Sequence, residues 1–169
     1  MINYIPEDTQ VVFNEVPDEI ALAINISNCQ CRCVGCHSPY LREDVGEELT
    51  EKVLDELIKS NAGITCVALM GEGNDKERMK ELILYLKKNY DLKIAVYSGR
   101  TDVDDCQFYF DYLDYLKIGP YIEEFGPLNK ETTNQRFYEA RNINKATKIN
   151  GKWRNHWFDA TEKFWNKDF

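Results

Sequence analysis

"ITCVALMGEGNDKERMKELILYLKKNYDLKIAVYSGR", residues 64–100, lays out strand, helix and strand in one unbroken run. Residues 64–70 are apolar and rich in strand formers, and residues 92–98 repeat that character. Between them Met79, Leu82, Ile83 and Leu86 recur at helical spacing, and Asn74 or Asp75 stands where an N-cap belongs. A strand that passes through a helix into another strand implies a parallel βαβ unit. Right-handed crossovers then bring the C-terminal ends of such strands to one rim.

The same alternation extends in both directions. Upstream, "EIALAINIS" (residues 19–27) reads as a strand. "TEKVLDELIKSNAG" (residues 50–63) reads as a helix, with Thr50 as N-cap, Val53, Leu54, Leu57 and Ile58 as its apolar stripe, and Gly63 as its stop. Downstream, "DVDDCQFYFDYL" (residues 102–113) predicts a poorer helix and "DYLKIG" (residues 114–119) a strand. This series predicts an α/β fold, an incomplete (β/α) barrel of roughly five or six parallel strands. "GPYIEEFGPLNKETTNQRFYEAR" is too irregular for another βα unit, and reads as a long connection. Asn150-Gly151 between two short strands suits a type I′ hairpin turn. In the tail, Trp157, Phe158, Thr161, Phe164 and Trp165 fall at helical spacing, which predicts an aromatic helix packed on the sheet. The expectation is one domain over 1–169, with its core at about 19–140 and a C-terminal hairpin and helix at about 145–169.

Composition narrows the function classes. The chain carries 21 Lys and Arg against 29 Asp and Glu, a net charge of −8, which disfavours nucleic acid as the main partner. The N-terminus lacks the cationic lead and apolar run of a secretory signal, and no apolar stretch is long enough to span a bilayer. A cytoplasmic location without membrane contact is expected, where thiols stay reduced. Six cysteines are present. Cys66 and Cys106 lie singly among apolar residues and read as small buried hydrophobes.

The other four crowd into "NISNCQCRCVGCHSPYL", residues 25–41, directly after the first strand. Disulfide frameworks tie distant loops together, so clustering of Cys29, Cys31, Cys33 and Cys36 favours a metal site. Structural zinc draws ligand pairs from separated segments, which makes eight consecutive residues a cramped cage. The C-x2-C-x2-C spacing of an ordinary ferredoxin site is absent. A three-thiolate set does fit, as Cys29, Cys33 and Cys36 in C-x3-C-x2-C spacing. Three thiolates leave one iron of a 4Fe–4S cluster open to a substrate, as catalytic zinc keeps an open position. In that scheme Cys31 is a bystander.

C-x3-C-x2-C after the first strand of a βα series resembles the radical S-adenosylmethionine enzymes. "CRCVGCHSPYL", "KIGPYIEE" and "TTNQRFYEA" further resemble the anaerobic ribonucleoside-triphosphate reductase activating proteins, in the same order over residues 20–140. The resemblance implies an oxidoreductase in which a reduced cluster cleaves S-adenosylmethionine to a 5′-deoxyadenosyl radical. That radical takes hydrogen from a backbone glycine of the reductase, its protein partner, while a donor such as a flavodoxin supplies the electron. It implies Cys29, Cys33 and Cys36 as ligands, and Gly71 and Glu72 at the methionine amine. It also implies Ser98 and Gly99 at the ribose, Gly119 and Pro120 near the adenine, and His37 at the adenine or the cluster. Arg136 is implied as a partner for a carboxylate. Where the family has G-G-E-P, this chain has Met70, Gly71, Glu72 and Gly73.

Two other functions fit the same residues. One is a radical S-adenosylmethionine enzyme acting on a different glycyl-radical protein or on a small molecule. The other is an iron–sulfur or zinc protein without radical chemistry, which would recruit Cys31, Cys66 or Cys106 as a fourth ligand.

Overall fold

The computed structural model describes residues 1–101, 109, 112–141, 147–149, 152–154 and 156–165. Its first elements are β1 (Asn3–Tyr4), β2 (Gln10–Val12), β3 (Ala21–Asn25), β4 (Glu47–Glu48) and α1 (Glu51–Ser60). Then come β5 (Cys66–Met70), α2 (Lys76–Asn89), β6 (Lys93–Tyr97) and β7 (Tyr115–Ile118). The chain continues through β8 (Arg136–Arg141), β9 (Thr147–Ile149), β10 (Lys152–Arg154) and β11 (His156–Asp159).

Both helices begin as their sequences require. The Thr50 side chain accepts from the Val53 N–H at 3.2 Å, and Asp75 Oδ1 accepts from the Arg78 N–H at 3.0 Å. Each bond satisfies a donor that the first turn leaves without a partner. Met79, Leu82, Ile83 and Leu86 are buried along α2 as expected, whereas on α1 only Leu54 is buried. Val53, Leu57 and Ile58 pack at the margin of the core.

The expected barrel is not what forms. One seven-stranded sheet runs β11-β8-β7-β6-β5-β3-β2, mixed in direction and open at both edges. Strands β3, β5, β6 and β7 are parallel, in the order that residues 19–119 imply. On either side the pairing is antiparallel: β2 on β3, β8 on β7, and β11 on β8. The physical reason lies in the connection after β7. A parallel strand needs a covering crossover, and residues 119–135 contain no helix. The chain therefore turns back alongside β7, and what reads as a connection ends in a strand.

The tail is corrected too. The hairpin forms, with β9 and β10 antiparallel, but the aromatic helix does not. His156–Asp159 is a strand paired with Arg141–Tyr138, and Thr161–Phe164 is a single 3-10 turn. Trp157 packs beside the helix-covered core, while Phe164 is buried on the other side of the sheet. The helix expected over 102–113 falls largely outside the described residues, as do Cys106 and the Asn150-Gly151 turn. Among the described residues no helix is long and apolar enough to cross a membrane.

Alternation along the strands divides the interior into two layers. Leu22, Ile24, Val67, Leu69, Ile94, Val96 and Leu116 join the helix side chains in one cluster. The opposite face carries Ala21, Cys66, Ala68, Ala95 and Tyr115, covered in part by Val16, Leu128, Phe137 and Phe164. Cys66 is a buried thiol of that second layer, in keeping with its reading as a small hydrophobe.

Candidate functional site

The face opposite α1 and α2 holds a cavity of about 660 Å³, within the size range of small-molecule sites, about 300–1,000 Å³. Ala23 and Asn25 of β3, Met70 of β5, Tyr97 of β6 and Lys117 of β7 all line it. Asn25, Met70, Tyr97 and Lys117 are neighbours in register across the parallel strands, so they form one row of the sheet. In the next row Ala23 also lines the cavity, while its neighbours Ala68 and Ala95 are buried in the second core layer. The rim is formed by the loops that follow β3, β5 and β6, and Cys29, Cys31, Cys33, Cys36, His37, Gly71, Glu72, Ser98 and Gly99 all line the cavity.

The cysteine loop is pinned at its base. The Asn28 N–H donates to the Glu43 carbonyl at 3.0 Å and the Cys29 N–H to the Leu41 carbonyl at 2.8 Å. Arg42 donates to the Cys33 carbonyl from below. Asn28 and Arg32 take positive φ values of 58° and 46°, and these let the segment curl back within a few residues. Cys29, Cys31, Cys33 and Cys36 are free thiols, all partly exposed. The Cys29 thiol is lowered to about 6, chiefly by a hydrogen bond from Cys31. The same bond, with burial, raises the Cys31 thiol.

Gly99 allows this loop to settle. A Cβ there would stand 2.7 Å from the Cys31 Cβ and 3.0 Å from the Cys33 Sγ, closer than packed carbon atoms tolerate. Gly71 has φ +124°, where a side chain is strained, and a Cβ would lie 3.1 Å from the Ile26 carbonyl oxygen. Glycine at these two positions therefore serves backbone shape as well as any ligand.

Glu72 and Ser98 meet each other. The buried Glu72 carboxylate accepts from Ser98 Oγ at 2.5 Å and from Arg100 Nε at 2.8 Å, and Tyr109 also donates to it. This clamp ties the loop after β5 to the loop after β6. A buried carboxylate needs such partners, because desolvation without them is costly.

The remaining expected residues are spread more widely. The His37 ring lies 4.4 Å from that of Tyr121, at the cavity's edge. Gly119 and Pro120 are not among the cavity-lining residues. The Gly119 N–H instead donates to the Arg100 carbonyl at 2.6 Å, and Pro120 borders a second groove. Arg136 donates to the carbonyls of Thr133 and Gln135 at 3.0 and 2.8 Å and faces Asp159 at 3.7 Å, so its guanidinium serves its own strand end.

Lys117 is the residue that sequence reasoning missed. Its Nζ donates to the Gly119 carbonyl at 2.8 Å and sits 5.9 Å from the centre of the Tyr97 ring. Burial pulls its pKa down to about 8, against the opposing pull of the four thiols, Cys33 foremost. Lys117 is therefore a cation set beneath the cysteine loop. A lysine inside "YLKI", an otherwise apolar strand, was the available signal.

Among the described residues, no group of three or more His, Cys, Asp and Glu side chains stands ready around a single ion. A cubane cluster spreads its thiolates over separate irons, farther apart than the ligands of one ion. The donor set is of the right kind for such a cluster: several thiols on one loop, facing a cavity with a cation in its floor. No family model matches this chain, and no curated protein or solved structure does so either.

Proposed function

We propose that this chain is a radical S-adenosylmethionine enzyme of the activase type, acting on the glycine of an anaerobic ribonucleoside-triphosphate reductase. One observation carries the reading. Cys29, Cys33 and Cys36, in C-x3-C-x2-C spacing after a parallel strand, line one cavity with Gly71, Glu72, Ser98 and Gly99 from the next two strand ends. When bound, a 4Fe–4S cluster supplies the electron that splits S-adenosylmethionine into methionine and the radical that abstracts hydrogen from glycine.

The chain's own residues have separable tasks. Cys29, Cys33 and Cys36 hold the cluster. Cys31, bonded through its proton to Cys29, shapes the loop without ligating. Lys117 offsets the negative charge gathered by the thiolates. The Glu72 clamp on Ser98 and Arg100 fixes a wall of the cavity and would help to position a bound cofactor there. Ala23 leaves volume at the cavity. The cavity opens on the rim, so a protein substrate can close it and exclude water itself. A cytosolic setting fits the reduced thiols.

The test is anaerobic. The protein is loaded with iron and sulfide, reduced, and given S-adenosylmethionine. Formation of 5′-deoxyadenosine is expected, and a glycyl-radical resonance should follow when the reductase is added. A fully loaded cluster that yields no 5′-deoxyadenosine would end this reading.

A further inference from the structure

Among the described residues the buried polar side chains are few, and nearly all of them are bonded. Glu19, Ser27, Glu72, Ser98, Thr133 and Thr161 are buried, and each bonds through its side chain. Gln135 is buried as well, at 6% exposure, yet only its backbone bonds: its side-chain amide has no hydrogen-bond partner among the described residues. An amide carries two donor hydrogens and an acceptor oxygen, and folded proteins seldom leave such groups unused when buried. Gln135 lines the cysteine cavity. A ligand in that cavity would be the partner that the fold does not provide.

The main chain around Gln135 is fixed. Its N–H donates to Thr133 Oγ1 at 3.1 Å, and its carbonyl accepts from Arg136 Nη1 at 2.8 Å. Beside it, Asn134 Nδ2 donates to the Pro120 carbonyl at 2.9 Å. Gly119 lets this segment come close to the end of β7: a Cβ there would stand 3.0 Å from the Gln135 Cα and 3.5 Å from its Cγ. Phe137, two residues on, belongs to the second core layer, and Gln135 meets the same side of the sheet. The amide is therefore anchored through its backbone and open at its tip. Pro127, Leu128 and Phe164 line the cavity with it and supply apolar surface.

An apolar lining with one amide suits a flat heteroaromatic ring, whose faces pack on hydrocarbon while one edge makes hydrogen bonds. Glutamine matches adenine in this way: its oxygen accepts from the exocyclic amine, and its nitrogen donates to a ring nitrogen. We propose that Gln135 is a specificity-determining residue that reads the adenine edge of S-adenosylmethionine. The proposal rests on the activase reading for the identity of the ligand. The charged amine and carboxylate of the methionine end call for charged partners, which Gln135 is not. A ribose hydroxyl would use only one end of the amide, whereas the adenine edge uses both.

The test uses 5′-deoxy-5′-methylthioadenosine and its counterpart in which hydrogen replaces the exocyclic amine, each titrated into the cluster-loaded protein by calorimetry. The adenine ligand should bind about tenfold tighter. Gln135→Met, apolar and close in length, should bring that ratio to about one, and Gln135→Leu should do the same. Without ligand, Gln135→Met should melt no lower than wild type, because the amide bonds nothing within the described chain. Equal binding of the two ligands by wild type, no binding of either, or an unchanged ratio in the variants overturns the proposal. Variants too unstable to fold overturn it too, since the amide would then belong to the fold. A ratio that collapses in the variants, without S-adenosylmethionine cleavage by the loaded wild type, would retain the adenine contact and remove the activase reading. Cleavage with an unchanged ratio would do the reverse.

Discussion

Ile24, Leu69 and Val96 on one face of the sheet are matched, one residue earlier in each strand, by Ala23, Ala68 and Ala95 on the other. The first three disappear under α1 and α2 in a close-packed aliphatic layer. Of the second three, Ala68 and Ala95 are buried in the thinner second core layer and Ala23 lines the cavity, which lies on that side with its cysteines, Lys117 and Tyr97. The same strands therefore do two jobs. Large side chains fill one face throughout, whereas the other face is packed at Ala68 and Ala95 and borders the cavity at Ala23.

The difference can be broken most forcefully by exchanging the two styles. Leu69→Ala, beneath the helices, should cost about 2–5 kcal/mol in urea unfolding. Ala23→Leu, which points at open volume, should change stability by under about 1 kcal/mol while weakening S-adenosylmethionine binding measured by calorimetry. Equal destabilisation by the two changes would mean that Ala23 faces packed core and not the cavity. Next in size is the clamp at the rim. Glu72→Ala removes the carboxylate that Ser98, Arg100 and Tyr109 all bond and should cost about 3 kcal/mol, whereas Ser98→Ala removes its bond to Glu72 and the one its Oγ accepts from the Arg100 N–H and should cost about 1–2 kcal/mol. Unfolding of both variants against wild type measures the gap.

Smaller effects sharpen the picture of the cysteine loop. Gly99→Ala pushes a methyl group against Cys31 and Cys33 and should cost about 1 kcal/mol, with a clear fall in iron bound after reconstitution. Smallest is a change in thiol reactivity. In cluster-free protein Cys29 should be alkylated across a pH range centred near 6, because its thiolate persists above its lowered pKa. Cys31→Ala removes the bond that favours this thiolate, so the pKa should rise. The alkylation rate at pH 7 should then fall by roughly tenfold. Mass spectrometry of the labelled peptide reads the change.

How much of the molecule was legible depends on which forces are local. Residues 50–100 combine apolar periods with caps at Thr50 and Asp75, and the helices and parallel strands appear where those signals point. The barrel does not, because its closure depends on the chain beyond β7, where "RFYEAR" buries only Phe137 completely and gives a weak period. "HWFD" misled for a related reason. Five aromatic and polar positions over nine residues satisfy a helical period as readily as a strand and a turn. That four thiols gather in one loop was legible because they lie within eight residues of chain, close together in any fold. The pairing of Glu72 with Ser98 and Arg100 was not, since it joins loops that are neighbours only after the sheet assembles. The alanines at 23, 68 and 95 were in plain view and become informative only once register aligns them.

The central claim is that three of four neighbouring cysteines hold the cluster and the fourth shapes the loop. Single alanine variants at Cys29, Cys31, Cys33 and Cys36, reconstituted side by side, test it through bound iron and 5′-deoxyadenosine yield. Cys31→Ala should keep most of both, and each of the other three should lose both. Loss of cluster and cleavage in Cys31→Ala, or their retention in any of the other three variants, would contradict the account.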